Sequence, residues 1–206
     1  MLTPDDNSGH GGKIDYLNQP GGWRANDPDL FGHLAAALKG GGARHVGMVE
    51  DNNLIPGARY YSDILEDGVA AREAYMKTML ERFQGLDLVF FDPDSCLQVK
   101  SVQPGWKRFS KYLTCKNAEA NFATGASLLI YQHYPFLKRD AYARVQVKRL
   151  ADATGAKEII PISTPHVLFL LVLHPRHVAA AQRALRAVEN GWPGQIWQVD
   201  SGLGDH

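Results

Sequence analysis

The sequence predicts an α/β protein: one three-layer domain whose sheet is mostly parallel and closes with an antiparallel pair of strands at the C-terminus. Three observations carry this. Continuous apolar runs recur, LVFF (88–91), ASLLIYQ (126–132) and VLFLLVL (167–173), as expected of strands covered on both faces. Segments with apolar residues at helical spacing lie between them. The last two runs, EIIPIS (158–163) and HVLFLLVLH (166–174), are joined by a turn containing Pro165, too short for a crossover, so they must pair antiparallel. The 206 residues suit one domain with its own core, and neither a repeat nor a linker interrupts them.

The elements follow in order. Residues 1–12 are polar and acidic, a flexible leader rather than a signal peptide. KIDYLN (13–18) reads as a short strand and QPGGWRAND (19–27) as a glycine-containing loop. Asp27 or Asp29 caps a helix over 30–38, with Pro28 near its first turn, and KGGG (39–42) ends it. HVGMVE (45–50) reads as a strand closing on Glu50-Asp51. Residues 54–65 form a turn with a short strand at ARYYS. A helix over 69–83 stops before Gly85, and DLVFFD is the next strand. NAEANFA (117–123) is helical, 126–132 is a strand, and 139–155 is a helix with a glycine stop. After the two closing strands comes a last helix over 177–190.

Composition narrows the class. The chain is 45% apolar and 21% charged, ordinary for a soluble globular protein. Its longest apolar run is strand-sized, so no membrane span is expected. Cys96 and Cys115 imply no disulfide framework and a cytoplasmic setting; neither CxxC nor HxxxH spacing occurs, so no structural zinc is expected. Nothing in the composition sets an oligomeric state. Net charge is zero, but unevenly spread: residues 1–99 hold 15 acids and 8 bases, whereas residues 100–149 hold 2 acids and 10 bases. The bland account is a solvated helix and loop surface; the sharper one is a surface for nucleic acid or another polyanion.

In open α/β sheets ligands gather outside the C-terminal ends of the strands. Four expected tips are polar: Asn18-Gln19, Glu50-Asp51, Asp92–Ser95 and Gln132-His133. The tip DPDS admits three readings. In an amino-methyltransferase-like site, Asp92 and the turn Pro93-Asp94 would accept hydrogen bonds from a target amine and aim its lone pair at the methyl group of S-adenosylmethionine. Proline would stiffen the turn and remove a donor. In a phosphotransferase of haloacid-dehalogenase type, Asp-x-Asp supplies nucleophile and acid/base over Mg2+. No acidic pair follows a later strand to hold that metal. The third reading is a plain Asx-type turn.

Glu50 occupies the place of the acid that takes ribose hydroxyls, with Asn18, Gly21 and Gly22 in the first loop as its companions. Gln132 and His133 end a strong strand, His133 as a base or phosphate contact or a polar cap. SVQPGWKRFSKY (101–112) interleaves cations with aromatics, suiting phosphate contact and base stacking, a lid, or a surface loop packed through Trp106 and Phe109.

Taken together, DLVFFDPDS, KRFSKY and GASLLIYQHYP, with DPDLF and PGARYY upstream, resemble a family of uncharacterised bacterial and phage proteins. In these, a strand ends in Asp-Pro-Asp-Asn-Gly, a Lys-Tyr segment follows, and a later strand ends in Tyr-Gln-His. The likeness spans about residues 27–150. It implies a site of Asp92, Asp94, Lys111, Tyr112, Gln132 and His133, with Ser95-Cys96 standing where the family has Asn-Gly. The order of elements is also similar, at the level of fold, to Rossmann-like methyltransferases that modify adenine amines of ribosomal RNA. That likeness implies a three-layer Rossmann-like sandwich binding S-adenosylmethionine through Glu50, Asn18, Gly21 and Gly22. Asp92, Asp94 and His133 would then act on the acceptor. Ser95, Lys100, Lys107, Lys111, Tyr112 and Gln132 would line the substrate side. Mg2+-dependent phosphotransfer and non-catalytic nucleic-acid binding on a degenerate fold remain the rivals.

Overall fold

The computed structural model describes residues 1, 3–4, 14–39, 47–135 and 137–202. The chain divides into two compact units, Asp5–Ser62 and a larger one of Met1–Pro4 with Asp63–His206. Most of the expected leader, residues 5–12, lies outside the described residues.

The regular elements described in the smaller unit are all helical. A 3-10 turn covers Asp15–Asn18, and three helices follow: α1 (Pro20–Trp23), α2 (Pro28–Lys39) and α3 (Gly47–Asp51). Helix α2 begins as expected: the Leu30 N–H donates to Asp27 Oδ1 at 2.9 Å, and Pro28 opens the first turn. The expected strands do not form. The described part of 13–18 is the 3-10 turn, and that of 45–50 belongs to α3; residues 13, 45 and 46 lie outside the described residues. Residues 58–62 pair with no strand. Short apolar runs fit either helix or strand, and only a partner ladder decides for strand.

The larger unit matches its sequence closely. Helix α4 (Val69–Arg82) buries Arg72, Tyr75, Met76 and Met79, one stripe at helical spacing. Gly85, at φ +79, turns the chain into strand β1 (Leu88–Phe91). Two short strands, β2 (Cys96–Leu97) and β3 (Tyr112–Leu113), pair in parallel across the 98–111 loop. Helix α5 (Cys115–Phe122) is capped by Thr114, whose Oγ1 accepts the Asn117 N–H at 3.0 Å. Then come β4 (Ser127–His133), α6 (Arg139–Thr154, ended by Gly155 at φ +70), β5 (Glu158–Ser163), β6 (Val167–Leu173), α7 (Val178–Gly191) and β7 (Trp197–Gln198).

The main sheet has the order β1-β4-β6-β5-β7. The expected antiparallel pair is β5–β6. Strand β6 also inserts beside β4 antiparallel, so β1–β4 is the one parallel pairing in a mixed sheet, rather than one of several. The further parallel strands expected from the first 62 residues are helical or unpaired where they are described. Val178, Ala181 and Leu185 of α7 pack on Ile160, Ile162, Leu171 and Leu173; on the other face Gln132 of β4 reaches Tyr142 of α6. No helix among the described residues is long and apolar enough to cross a membrane.

Candidate functional site

Because β1 and β4 are parallel and register Phe91 against Ile130, their C-terminal ends emerge side by side. Asp92 therefore stands next to Tyr131 and near His133, as the sequence predicts. Pro93 is buried, anchoring the turn, while Asp92 and Asp94 face outward. The two carboxylates have different surroundings. Asp94 Oδ2 lies 2.6 Å from the Lys111 ammonium. Asp92 takes no side-chain hydrogen bond among the described residues. Its backbone carbonyl accepts from the Met1 ammonium at 3.0 Å. Enough protein crowds the Asp92 carboxyl that desolvation pushes its pKa up, with Asp94 adding to the push. The Met1 ammonium and His133 pull the other way. Burial, and then the Asp92 charge, push the neighbouring Tyr131 hydroxyl up as well.

Lys111 is tied to this turn twice over: the Ser95 N–H donates to its carbonyl at 2.9 Å, and its ammonium pairs with Asp94. What places Lys111 is a carboxylate the sequence reading passed over. Asp67 accepts the Arg108 N–H (2.8 Å), the Ser110 N–H (2.9 Å) and the Ser110 hydroxyl (2.7 Å). These hold Arg108 at φ +71, a left-handed backbone that a non-glycine residue seldom adopts. Desolvation works against the Asp67 charge, but the Ser110 and Arg108 hydrogen bonds and the Lys107 charge outweigh it, so its pKa is lowered.

A second residue missed by sequence reasoning is Arg72, buried on α4. Its guanidinium donates to the Tyr112 carbonyl (2.7 Å), the Phe109 carbonyl (3.4 Å) and Asn117 Oδ1 (3.0 and 3.1 Å), and lies 4.7 Å from the centre of the Phe109 ring. Desolvation pulls its pKa down to about 10, leaving it cationic at neutral pH. The signal was present: Arg72 occupies the apolar stripe of α4, where a cation needs a buried partner.

One expectation needs correction. Gln132 does not line a substrate surface. It is fully buried, its Oε1 accepting the Leu97 N–H at 2.9 Å and its Nε2 donating to the Tyr142 hydroxyl at 2.5 Å. It is a clasp joining β4, β2 and α6. Tyr112 offers its carbonyl to Arg72, and its side chain is half-buried. Ser95 is half-buried, while Lys100 and Lys107 are exposed on the 98–111 loop.

The cofactor set lies in the smaller unit and does not have the expected geometry. Glu50 is inside α3 rather than at a strand tip, and accepts from Ser62 Oγ at 3.5 Å. Asn18 ends a 3-10 turn. Gly21 and Gly22 lie in α1, and a Cβ at either would meet nothing within 4 Å, so neither glycine clears a path for a ligand. These residues do not fit S-adenosylmethionine as a strand-borne ribose clamp. For Mg2+, no three His, Cys, Asp or Glu side chains converge among the described residues, and Asp94 is occupied by Lys111. The smaller unit has a cavity of about 300 Å³ lined by Asp27, Asp29, His33, Asn52 and their neighbours, none of them a predicted site residue.

The amino-terminal edge of the sheet holds another constellation. His177 Nδ1 is 2.8 Å from Ser127 Oγ, and its Nε2 is 3.1 Å from Asp87 Oδ1. The set has the composition of a hydrolytic triad, but Ser127 is 1% exposed and its Oγ already accepts the His174 N–H at 3.1 Å. A nucleophile must reach its substrate, so this cluster braces the edge instead.

Of the ten cations in 100–149, Lys111, Arg144 and Lys148 pair with Asp94, Asp200 and Asp152. Arg139 donates to the Pro165 carbonyl, and Arg149 to the Gln98 carbonyl and Gln146. Lys100, Lys107, Arg108, Lys116 and Lys138 are exposed and form no ion pair among the described residues. Comparison with known proteins returns no matching family model, no matching curated protein and no matching solved structure.

Proposed function

We propose that the protein binds nucleic acid at the carboxyl edge of a methyltransferase-like sheet, without a resident S-adenosylmethionine site in its first 62 residues. One observation carries the reading: Lys111 holds Asp94, while the Asp92 carboxylate beside it takes no side-chain hydrogen bond among the described residues, at the tip of the parallel β1–β4 pair. A carboxylate in that position takes hydrogen bonds from an exocyclic amine of a base. The exposed cations on the two segments leaving this edge, Lys107 and Arg108 before β3 and Lys138 after β4, suit the phosphates. Strand order supports the methyltransferase-like part: the chain closes with two adjacent strands, β5 and β6, the feature expected of that Rossmann-like sheet. This is a likeness of architecture, not of activity.

The test is fluorescence anisotropy with single-stranded RNA and DNA at low salt, paired with calorimetry using S-adenosylmethionine. The expected result is oligonucleotide binding that weakens in Asp92→Asn, with no heat from the cofactor. Cofactor binding that is lost in Glu50→Ala would restore methyl transfer as the activity. Absence of oligonucleotide binding would overturn the proposal.

A further inference from the structure

Strand β1 is an edge strand, and its two faces differ. Val89 and Phe91 are buried, registered against Leu128 and Ile130. Leu88 and Phe90 point the other way and are 48% and 53% exposed. Helix α7 lies on that second face, its cover centred on β5 and β6, with Leu129 and Phe169 packed at its border. Beyond the border the face is aromatic. Tyr131 meets Phe169 edge-on at 5.5 Å and His133 edge-on at 5.0 Å. Phe90 registers with Leu129, two residues before Tyr131, and Asp92 follows Phe90 on the same side of the strand. A sheet face therefore runs from Phe90 across Tyr131 and His133 to Phe169, exposed at Phe90 and His133 and half-buried at Tyr131 and Phe169, with a carboxylate at its carboxyl edge.

Resting on the reading above, we propose that this face is a base-stacking platform for single-stranded nucleic acid, on which Phe90 and Tyr131 each take a base and Asp92 reads the amine of the base at the edge. Rings presented on a sheet face are how single strands are held with little sequence preference, because every base offers a π-face. Charge favours this occupant over an apolar protein surface. On the segments leaving the same edge Lys107, Arg108 and Lys138 are exposed and form no ion pair among the described residues, so a polyanion crossing the rings meets cations at the end of its path.

The experiment compares a labelled single-stranded RNA of about ten nucleotides with the same backbone carrying abasic residues. The wild-type protein, Phe90→Ala and Tyr131→Ala are measured, each checked by thermal melting; Phe90 is exposed enough that its variant keeps the fold if Tyr131→Ala does not. The expected result is a wild-type preference for the base-bearing strand. Each variant weakens that binding about tenfold and leaves the abasic strand unchanged. Equal binding of both strands in wild type and variants would overturn the platform while leaving nucleic-acid binding intact. Binding of neither strand would remove both proposals. A Phe90→Ala protein that changes sedimentation but not RNA affinity would show the face to be a protein interface, and would also overturn the platform.

Discussion

Asp67 shows how one carboxylate sets a loop. Its hydrogen bonds reach only residues 108–110, yet they fix the turn that carries Lys111 to Asp94. Because its folded pKa is lowered, its stabilising contribution is complete above the ordinary carboxylate pKa and is lost as pH falls through the folded value. Asp67→Asn, which cannot satisfy both N–H donors and the hydroxyl as an anion does, is expected to cost about 1–3 kcal/mol at neutral pH. Urea melts at pH 7 and pH 3 check this: the gap between wild type and variant should close at the acid end. A gap of the same size at both would show that the charge does not matter. Gln132 makes the complementary case, a neutral side chain with no exposure. Gln132→Leu keeps the volume roughly but strands the buried Leu97 N–H and the Tyr142 hydroxyl, whose pKa is pushed up to about 12, first by burial and then by Cys96. The expected cost is again about 1–3 kcal/mol, read by denaturant melting. Unchanged oligonucleotide binding in the folded variant would agree with a clasp rather than a substrate contact.

At the scale of elements, helix α4 governs the loop through Arg72. Its planar fork reaches two carbonyls and Asn117 at once, which a lysine cannot do. Arg72→Lys is expected to lose about 2 kcal/mol and to loosen the 98–112 segment more than the sheet. Hydrogen exchange checks it, with faster exchange at Phe109–Leu113 and little change at β4 and β6. Uniform loosening would mean that Arg72 braces the whole core. The elements also show how far the sequence could be read. Strands β1, β4, β5 and β6 were legible because each is a continuous apolar run ending at a turn signal, and α4, α6 and α7 because their apolar residues repeat at helical spacing. Residues 47–51 were not: five residues carry too little periodicity to separate a helix from a strand, and a strand there would have needed a neighbour to pair with. Asp92, Asp94, Lys111 and His133 were legible as strand-end and loop signals. Asp67 was not, because a carboxylate before a helix looks like any cap, and its partners lie more than forty residues away. Gln132 was seen, but alternation along β4 should have placed it inward, since Leu128 and Ile130 share its face.

For the molecule as a whole, zero net charge decides how binding should depend on salt. A protein with no net charge draws a polyanion only through a local cluster, and the exposed candidates here are Lys100, Lys107, Arg108, Lys116 and Lys138. If about four of these contact phosphates, log K should fall with log salt at a slope near −3, from about −0.7 per contact on a single strand. Lys107→Glu with Arg108→Glu removes two contacts and should reduce the slope by about 1.4. Stacking behaves differently, because rings release no counterions: Phe90→Ala should lower affinity and leave the slope alone. Anisotropy titrations at four or five salt concentrations separate the two contributions. A slope that does not respond to the charge reversal would move the phosphate path away from the 98–111 loop. A slope that changes with Phe90 would mean that the ring positions the cations rather than stacking on bases.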